Sequence, residues 1–583
     1  MLAQCVFSLI LVTLSSSFDI PPTCNSPIYC QGRLLHTVQL AEVFKDSKTF
    51  VDKKLKYSQN ETLNRFEKFM EAHGDKPTYK QVEKFVNEHF ENGNELEVTD
   101  PLDWTESPIV LSRISDPELR RWATELNGLW KNFTRKISSE VERNGEKYSL
   151  IYVPNRFVVP GGRFREFYYW DTYWIIRGLL VSGMKETVRG MLENFFHMVK
   201  TYGHVPNGGR IYYIQRSQPP LLIAMVDTFY QETGDLEFVR TNIDVLEDEF
   251  KFWMEQRTVP VKKDGRYYTL ARYYAVSKGP RPESYKEDYN KAHESFDNEE
   301  RMQEFYVDLK SAAESGWDFS SRWYIVNATN NGSLSNISTR NIIPVDLNSF
   351  LFMNAQTLSK LYGELGFIQK SDHYAKLAKE WKEAVTAVLW NGEEGSWFDY
   401  DTLNHVQRKY FYPSNLAPLW TGCYDHHDAA VIAQKAVSYL LKHDVKSFLG
   451  GIPTSEMYTS EQWDLPNAWP PLQVIIIQGL ARTHQPNATN LAYDLAHRWV
   501  LSNYKGYQDT GEMFEKYNAQ YPGGSGFYGE YQPQSGFGWT NGIILELLST
   551  YGGKLKAKIR TSREIPREMA HRRNRTHNVR TCN

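Results

Sequence analysis

Residues 173–202 read YWIIRGLLVSGMKETVRGMLENFFHMVKTY, and this stretch decides the fold class. Its apolar side chains recur at intervals of three and four residues, which is the spacing of one face of an α-helix. They are Ile175, Leu179, Leu180, Met184, Val188, Met191, Leu192, Phe195 and Phe196. Gly183 interrupts the run, so the pattern predicts two consecutive helices.

The same pattern of paired helices repeats along the chain. Residues 219–256 predict a second pair, divided at Thr233-Gly234-Asp235. The further predicted segments are 346–364 with 370–390, 427–443 with 469–483, and 490–504 with 540–551. Because few segments alternate strictly between apolar and polar residues, we expect an all-α fold. A ring of helical hairpins, an α/α toroid, would bring the loops between helices together at one end.

One of these loops, ESGWDFSSRW at residues 314–323, sets the acid Asp318 between Trp317 and Phe319. Apolar neighbours raise the pKa of a carboxyl, whereas Arg322 four residues later favours the ionised form. The guanidinium of an arginine also offers a fork of donors to carboxylates or hydroxyls. An acid, an aromatic wall and a guanidinium are together typical of a buried sugar site.

Other loops also place polar side chains beside aromatic rings and glycines. They are PGGRFREFYYWD (160–171), HVPNGGRIYYIQRSQPP (204–220), GPRPESY (279–285), QWDLPNAWPP (462–471), FEKY (514–517) and YPGGSGFYGEY (521–531). Their candidate site residues are Arg163, Trp170, Asp171, Asn207, Arg216, Ser217, Gln218, Arg281, Glu283, Trp463, Asp464, Trp469, Glu515 and Glu530. Such side chains suit flat, hydroxyl-rich ligands, because rings stack on C–H faces while polar groups meet hydroxyls.

Each candidate also has a purely structural interpretation. Arg163 and Asp171 could cap helices and pair with each other, Trp463 and Trp469 would normally lie in a core, and Glu515 alone looks like any surface glutamate. Residues 425–428, DHHD, resemble a metal cluster, but adjacent histidines on a helix point to different faces, so we interpret Asp425 as a cap or turn residue.

Composition and charge limit the class of ligand. The chain has 583 residues and is rich in aromatics, with 16 Trp, 36 Tyr and 30 Phe, while its net charge is only −3. This weak overall charge gives no support for nucleic-acid binding. The glycine-rich loop at residues 521–531 is not followed by the GK[ST] sequence of phosphate-binding loops, so it does not predict a phosphate site. The last 30 residues, 554–583, carry ten Lys or Arg against two Glu and predict a solvated, disordered tail.

Several features favour a secreted protein. Residues 1–17 resemble a secretory signal, with an apolar run too short to span a bilayer and serines suited to cleavage, although the segment before the run has no Lys or Arg. Seven Asn-X-Ser/Thr sequons follow, at Asn60, Asn132, Asn327, Asn331, Asn336, Asn487 and Asn574. No later run is long and apolar enough for a membrane helix, and the C-terminus lacks a lipid-anchor signal.

The cysteines suggest disulfide bonds without fixing them. Removal of the signal takes Cys5 and leaves four cysteines. Cys24 and Cys30 are close enough in sequence for a local bridge, and Cys423 could pair with Cys582. Four cysteines allow three connectivities, so the pairing stays open.

Taken together, the loops resemble trehalases of the animal and bacterial type, an inverting family of glycoside hydrolases. PGGRFREFYYWD and QWDLPNAWPP look like the two diagnostic motifs of this family, and ESGWDFSSRW, RSQPP, GPRPES and GFGWTNG are also similar. The resemblance extends from about residue 24 to residue 553. It implies an (α/α)6 barrel in one catalytic domain, residues 18–553 with an N-terminal extension, that hydrolyses α,α-trehalose to two glucose molecules without a metal or organic cofactor.

The resemblance also implies roles for individual residues. Asp318 is implied as the general acid and Glu515 as the general base. The implied substrate contacts are Arg163, Trp170, Asp171, Asn207, Arg216, Ser217, Gln218, Arg281, Pro282, Glu283, Gly316 and Glu530. Arg322, Trp463 and Asp464 are implied as supporting residues.

This chain departs from the family pattern at two places. Ser525, Phe527 and Tyr528 interrupt a glycine run that is usually unbroken before Glu530, and Asn518 replaces a common aspartate. Two alternative functions stay open at this stage. One is a related (α/α)6 glycosidase that acts on another glucoside, and the other is a secreted sugar-binding protein without catalysis.

Overall fold

The computed structural model describes residues 20–558. The predicted signal, Cys582, Asn574 and nearly all of the predicted tail lie outside these residues. Over the described part of the chain, the helices are α1 (Arg33–Leu40), α2 (Lys48–Val51), α3 (Gln59–Ala72), α4 (Tyr79–His89), α5 (Pro117–Phe133), α6 (Ser139–Arg143), α7 (Tyr169–Val181), α8 (Lys185–Tyr202), α9 (Leu222–Thr233), α10 (Leu236–Gln256), α11 (Tyr285–Ser295), α12 (Glu299–Glu314), α13 (Val345–Glu364), α14 (Ile368–Leu389), α15 (Ala417–Thr421), α16 (Ala429–Lys442), α17 (Pro470–Arg482), α18 (Pro486–Thr510) and α19 (Gly538–Tyr551).

The strands are short and pair only in small antiparallel sheets. They are β1 (Lys54–Leu55), β2 (Phe90–Glu91), β3 (Leu96–Val98), β4 (Thr134–Ile137), β5 (Phe157–Val158), β6 (Thr258–Lys263), β7 (Arg266–Ala271), β8 (Ile342–Ile343), β9 (Trp390–Asn391), β10 (Ser396–Trp397), β11 (Tyr400–Asp401), β12 (Val406–Gln407), β13 (Asn467–Ala468) and β14 (Tyr517–Asn518). The sheet orders are β1-β2, β3-β4-β5, β6-β7, β9-β10, β8-β11-β12 and β13-β14. The β6-β7 hairpin pairs Thr258 with Ala271 at its open end.

Six helices form a closed inner ring. In order, α7 contacts α9, α9 contacts α13, α13 contacts α15, α15 contacts α17, α17 contacts α19, and α19 returns to α7. The outer helices are α5, α8, α10, α14, α16 and α18; α8 packs on α7 and α9, and α18 packs on α17 and α19. The architecture is therefore an (α/α)6 barrel, as expected.

Glycines at two facing positions allow the ring to close between its first and last helices. A Cβ atom added at Gly178 of α7 would come within 2.3 Å of the Cα atom of Gly542 in α19. A Cβ atom at Gly542 would come equally close to the carbonyl oxygen of Trp174. Side chains at these two positions would push the helices apart, so both glycines are required by the closeness of α7 and α19.

The predicted helical segments are confirmed, including the break at Gly183, which takes a positive φ of 80° between α7 and α8. The pairing of 427–443 with 469–483 is wrong, because α17 packs on α18 rather than on α16. In the barrel part of the chain, α5, α6, α11, α12 and the short inner helix α15 lie outside the predicted segments. In α12 the polar side chains Asp308, Lys310 and Glu314 are buried, so the sequence there does not show the apolar face by which a helix is recognised.

Residues 24–90 have a hydrophobic core of their own, separate from the core of the barrel. This second core includes Tyr168, Tyr212 and Tyr213 from the barrel loops. It contains the disulfide Cys24–Cys30, with Cα atoms 5.3 Å apart, which confirms the local bridge. Cys423 is buried, and its suggested partner is not among the described residues. Within residues 20–558, no helix combines the length and apolarity needed to cross a bilayer.

Candidate active site

A cavity opens at the end of the barrel where the inner helices α7, α17 and α19 begin. The space between its walls measures ≈ 640 Å³ including the mouth. The motif-bearing loops that are far apart in sequence meet here. Ten of the twelve implied substrate contacts line it, together with both implied catalytic acids: Arg163, Trp170, Asp171, Asn207, Arg216, Gln218, Arg281, Glu283, Gly316, Glu530, Asp318 and Glu515.

Asp318 reaches the cavity from the turn that follows α12. Gly316 makes this turn with a φ of 77°, and a Cβ atom there would lie 2.7 Å from the indole of Trp170, so the turn needs glycine. Burial raises the pKa of Asp318 to about 7; Arg281 opposes this shift and Glu530 adds to it. A carboxyl in this environment holds its proton near neutral pH.

Arg322 does not oppose that shift, contrary to one sequence-based expectation. Its guanidinium is fully buried and makes paired hydrogen bonds to Asp346, at 2.8 and 2.9 Å, and to Asp399, at 2.8 and 3.1 Å. It lies between the rings of Trp317 and Trp323, 4.5 and 4.6 Å from their centroids. Arg322 therefore lies behind the cavity wall, and its ion pairs fix the loop that carries Asp318.

Glu515 lies in the loop before β14, and its side chain is buried. The Tyr531 hydroxyl donates to Oε1 at 2.8 Å, and the Lys516 ammonium lies 3.5 Å from Oε2. Its main chain is held by hydrogen bonds from Glu515 N to the carbonyl of Gln534, 3.0 Å, and from Trp539 Nε1 to the carbonyl of Glu515, 2.9 Å. The carboxylate therefore has donors on both oxygens and a fixed backbone.

Two side chains connect the loops of the two acids. Lys516 Nζ donates to Gln462 Oε1 at 2.7 Å, and Gln462 Nε2 donates to the carbonyl oxygen of Asp318. Lys516 also lies over the Trp469 ring, 4.9 Å from its centroid. Displacement of either acid would disturb this chain of contacts.

A third acid, Asp171, lies on α7 in the same cavity. Burial raises the pKa of Asp171 well above its usual range, and the charges of Glu515 and Asp318 add to the shift. All three carboxyls therefore lie within electrostatic range of one another. Asp171 does not pair with Arg163, the structural alternative considered from sequence.

Each arginine of the cavity is held by an acid. Arg163 makes a bidentate pair with Asp46, at 2.6 and 2.8 Å. Arg281 is bonded to Asp288 through Nε and Nη2, at 2.9 and 2.6 Å, and to Glu530 at 2.7 Å. Because bidentate pairs fix the plane of a guanidinium, the remaining N–H groups are held in defined directions.

Arg216 is held in the same way on the other side of the cavity. Its Nε donates to Asn207 Oδ1 at 2.8 Å, and its Nη2 is paired with Glu283. Glu283 Oε2 is buried without a hydrogen-bond partner among the described atoms. This oxygen is an acceptor that a ligand hydroxyl could satisfy.

The aromatic wall is a stack of three indoles. Trp463 and Trp469 are parallel, with centroids 3.8 Å apart and planes at 2°, and Trp317 stacks on the other side of Trp463 at 5.1 Å. Trp463 and Trp469 line the cavity whereas Trp317 does not. The stack stiffens this wall and excludes water from it.

Besides Arg322, three implied site residues do not reach the cavity. The Ser217 hydroxyl donates to the carbonyl of Val205 at 2.7 Å, and the Pro282 carbonyl accepts from Gln39 at 3.1 Å. Asp464 accepts hydrogen bonds from Ser320, Ser321, Ser455 and Thr459, at 3.0, 2.7 and 2.8, 2.7 and 2.5 Å respectively, and burial raises its pKa to about 6. These residues shape the loops behind the cavity.

The two departures from the family pattern leave the site intact. Glu530 still reaches the cavity and Arg281, because Phe527 and Tyr528 turn outward and are about half exposed. Asn518 accepts hydrogen bonds through Oδ1 from the amides of Gln520 and Tyr521, at 2.8 and 3.1 Å. An aspartate could make the same turn.

Comparison with known proteins agrees with this geometry. The family model described as Trehalase matches residues 42–552. The chain belongs to the trehalase family. It is 53% identical to a trehalase of Apis mellifera over 561 residues, 96% of this chain and 90% of that protein. It is 45% identical to a trehalase of Homo sapiens, with 94% of each chain covered.

A solved structure agrees with the fold. The neutral trehalase Nth1 from Saccharomyces cerevisiae superposes with a TM-score of 0.55 at 24% identity, over 68% of this chain and 75% of that chain. In this trehalase-family chain the sequence motifs indicate most of the cavity, but the candidate residues chosen from them omit Gln462, Lys516 and Tyr531, which lie inside the motifs. Asp46 and Asp288 lie outside every motif and left no such signal.

Among residues 20–558, no group of three or more His, Cys, Asp or Glu side chains is placed to hold a metal ion. Asp425 begins a short 3-10 turn and accepts a hydrogen bond from the amide of His427 at 3.0 Å, which confirms its interpretation as a cap.

Proposed function

We propose that this chain hydrolyses α,α-trehalose to two glucose molecules with inversion at one anomeric carbon, using Asp318 as general acid and Glu515 as general base. The observation that carries this proposal is the contrast between the two carboxyls in one cavity. Burial raises the pKa of Asp318 to about 7, whereas Glu515 receives a hydrogen bond from Tyr531 and the charge of Lys516. One acid is suited to donate a proton and the other to accept one.

The reaction needs both groups at once. The anomeric carbons of trehalose are both tied up in the linkage, so the leaving sugar departs only if its oxygen is protonated. Asp318 gives its proton to the glycosidic oxygen as the carbon–oxygen bond breaks and an oxocarbenium-like state develops. A water attacks the same carbon from the opposite face and passes a proton to Glu515, leaving that carbon inverted.

Room for this water is the geometric requirement of inversion. The carboxyls of inverting glycosidases are roughly 6.5–9.5 Å apart, against about 5–5.5 Å in retaining enzymes. Asp318 and Glu515 reach the same cavity from two different loops, one after α12 and the other before β14. Tyr531 and Lys516 hold the Glu515 carboxyl in place beside the cavity.

The polar side chains that are fixed by ion pairs bind the substrate in this proposal. Arg163, Arg216 and Arg281 present fixed N–H groups to hydroxyls, and the free oxygen of Glu283 accepts from one. Trp170, Trp463 and Trp469 supply apolar faces for the C–H sides of the glucose rings. The protein groups that meet these hydroxyls are buried when the sugar is bound. A sugar that lacks one of the hydroxyls would leave its partner without a hydrogen bond and should bind much less tightly.

Two substitutions and one product analysis test the proposal. Asp318→Asn and Glu515→Gln should each abolish glucose release while the protein still folds, as measured by far-UV circular dichroism. Proton NMR of fresh product should show equal α- and β-glucose. Near-normal turnover by either variant would remove its assigned role, and α-glucose alone at early times would exclude inversion.

The two alternatives have their own signatures. Faster cleavage of maltose or sucrose than of trehalose would indicate a related glucosidase, and trehalose binding without glucose release would indicate a binding protein. Retention of Asp318 and Glu515 in a common buried cavity favours catalysis over binding alone.

We also infer that the chain is secreted and glycosylated. Residues 1–17 supply the signal, and the asparagines of all six sequons within the described residues are exposed: Asn60, Asn132, Asn327, Asn331, Asn336 and Asn487. Recovery of activity from the medium of expressing cells, with a mass decrease after enzymatic removal of N-glycans, would support this. Retention inside the cells, or an unchanged mass, would contradict it.

A further inference from the structure

A second cavity opens at the opposite end of the barrel. All six inner helices contribute to it, mostly through their C-terminal halves, and its space measures ≈ 1530 Å³ including the mouth, compared with ≈ 640 Å³ at the candidate active site. The two cavities share no lining residue. The second is therefore a separate site rather than an extension of the first.

Aromatic rings line the deep part of this cavity. Trp420 of α15 and Tyr173 of α7 meet edge to face, with centroids 5.7 Å apart, and Tyr551 of α19 forms another wall. Trp420 and Tyr173 are almost completely buried, so the small surfaces that remain accessible face the cavity. Apolar ring faces in a wet cavity suit a ligand with C–H surfaces.

A buried hydrogen-bond network supports the aromatic rings. Trp420 Nε1 donates to Gln478 Oε1 at 2.9 Å, and Gln478 Nε2 donates to Glu546 Oε1 at 2.8 Å. Arg177 is paired with the same carboxylate, while Glu546 Oε2 is buried without a hydrogen-bond partner in the described structure. The groups around the rings are therefore fixed, and one acceptor beneath them is unsatisfied.

Two of the three Lys and Arg side chains that line the cavity are paired with acids, whereas Arg482 donates to the carbonyl oxygen of Trp420 at 2.8 Å and has no acid partner among the described residues. Arg177 is neutralised by Glu546, and Lys360 Nζ lies 2.8 Å from Asp227 Oδ1. Threonine hydroxyls and the Gln356 amide add neutral donors and acceptors near the mouth. Aromatic faces with amides, hydroxyls and mostly paired charges suit an uncharged, hydroxyl-rich ligand, and the Arg482 guanidinium can donate to its hydroxyls.

We propose that this far cavity is a second carbohydrate site, which binds a neutral sugar of mono- or disaccharide size. The proposal is independent of the function assigned to Asp318 and Glu515, because the far cavity shares none of their contacts. Binding there does not compete with substrate at the other end of the barrel. Glucose is the probe that tests it, since it is not consumed by the enzyme.

Fluorine NMR gives a residue-specific test. The whole protein is labelled with 5-fluorotryptophan, and the Trp420 signal is assigned as the one missing from Trp420→Phe. We expect glucose to shift this signal saturably. Thr357→Phe, which fills the cavity from α13, should abolish the shift while leaving kcat/KM for trehalose and the shifts of Trp463 and Trp469 unchanged.

Controls make the test decisive. Thr241→Phe, at an exposed threonine of outer helix α10, should behave as wild type. If Thr357→Phe folds poorly, Gln356→Ala at the exposed mouth should weaken the Trp420 response instead. The proposal is overturned if Trp420 does not respond at glucose concentrations that saturate the active site, if the response survives both cavity variants, or if inorganic phosphate shifts the signal and glucose does not.

Discussion

The ammonium group of Lys516 lies 3.5 Å from Oε2 of Glu515, and both side chains are almost completely buried. The adjacent residues of one loop thus form an ion pair inside the cavity wall. Through Gln462 the same ammonium is connected to the backbone of Asp318. Lys516 is a positioning residue in this arrangement, because it supports both acids and does not itself line the cavity.

Loss of this cation should impair catalysis. Lys516→Met removes the cation beside the buried Glu515 carboxyl and breaks the connection through Gln462 to the Asp318 backbone, so both acids lose part of their support. We expect kcat for trehalose to fall by on the order of 10²-fold. Lys505→Met, at an exposed lysine paired with Asp509, should leave kcat unchanged; a Lys516→Met enzyme within about twofold of wild type would show that the pair is dispensable.

The pH dependence follows from Asp318. Its pKa of about 7 lies above the value of about 3.9 in an unfolded chain. Since the protonated form is the general acid, kcat/KM should fall as pH rises through about 7. Initial rates across pH at low trehalose concentration measure this limb. The charge of Glu530 contributes to the raised pKa of Asp318, so Glu530→Gln should move the fall in kcat/KM to lower pH. If this variant still turns over and the fall stays at the same pH, Asp318 is not the group that causes it.

The same shift predicts a change in stability. The folded chain binds more protons than the unfolded chain between about pH 4 and 7, so the contribution of Asp318 to stability is lost as pH rises through this window. Asp318→Asn removes the effect. Its melting temperature relative to wild type should therefore be higher at pH 8 than at pH 4, whereas Asp248→Asn at an exposed site should show no such change. An equal difference at both pH values would contradict the raised pKa.

Periodicity anticipated ten of the twelve barrel helices, all except α5 and the short α15, and the family resemblance supplied their closure into a barrel. Periodicity failed for α12, where Lys310 and Glu314 lie buried at positions that a periodicity argument treats as polar and exposed. The buried groups are satisfied there by loop contacts; Lys310, for example, donates to the carbonyl of Ser277 at 2.7 Å. Such partners come from distant segments and leave no local pattern.

The sequence likewise revealed one part of the site and not the other. Motifs indicate the residues that face the cavity, but the acids that hold them, Asp46 and Asp288, lie outside the motifs. Arg322 shows the converse, since its position near Asp318 in sequence suggested a direct partner whereas its carboxylates come from Asp346 and Asp399. Pairing of charges is decided by tertiary contacts, so a single sequence does not reveal it.

Asp288 offers a test of how firmly Arg281 must be held. This buried acid accepts from the backbone amide, Nε and Nη2 of Arg281 without lining the cavity. Asp288→Asn replaces one charged acceptor oxygen by a donor, which should cost about 1.5–3 kcal/mol and lower kcat/KM by roughly 10–100-fold, mainly through KM. Glu294→Gln on the exposed face of α11 is the matched control. A purely structural role would lower the melting temperature and leave KM unchanged.

The N-terminal region contributes to the cavity through Asp46. Its carboxylate holds Arg163 by two hydrogen bonds, and its Oδ1 also accepts from the amide of Lys48 at 2.9 Å. An asparagine at this position could keep the amide contact but not the bidentate pair, so Asp46→Asn should preserve the fold while freeing Arg163. We expect KM for trehalose to rise roughly tenfold with kcat little changed, since about 1.5 kcal/mol of charged hydrogen bonding is lost. Asp75→Asn, at an exposed acid of the same region that pairs with Arg33, should have wild-type kinetics. If both variants match wild type, Arg163 does not need Asp46, and the N-terminal core only covers the barrel loops.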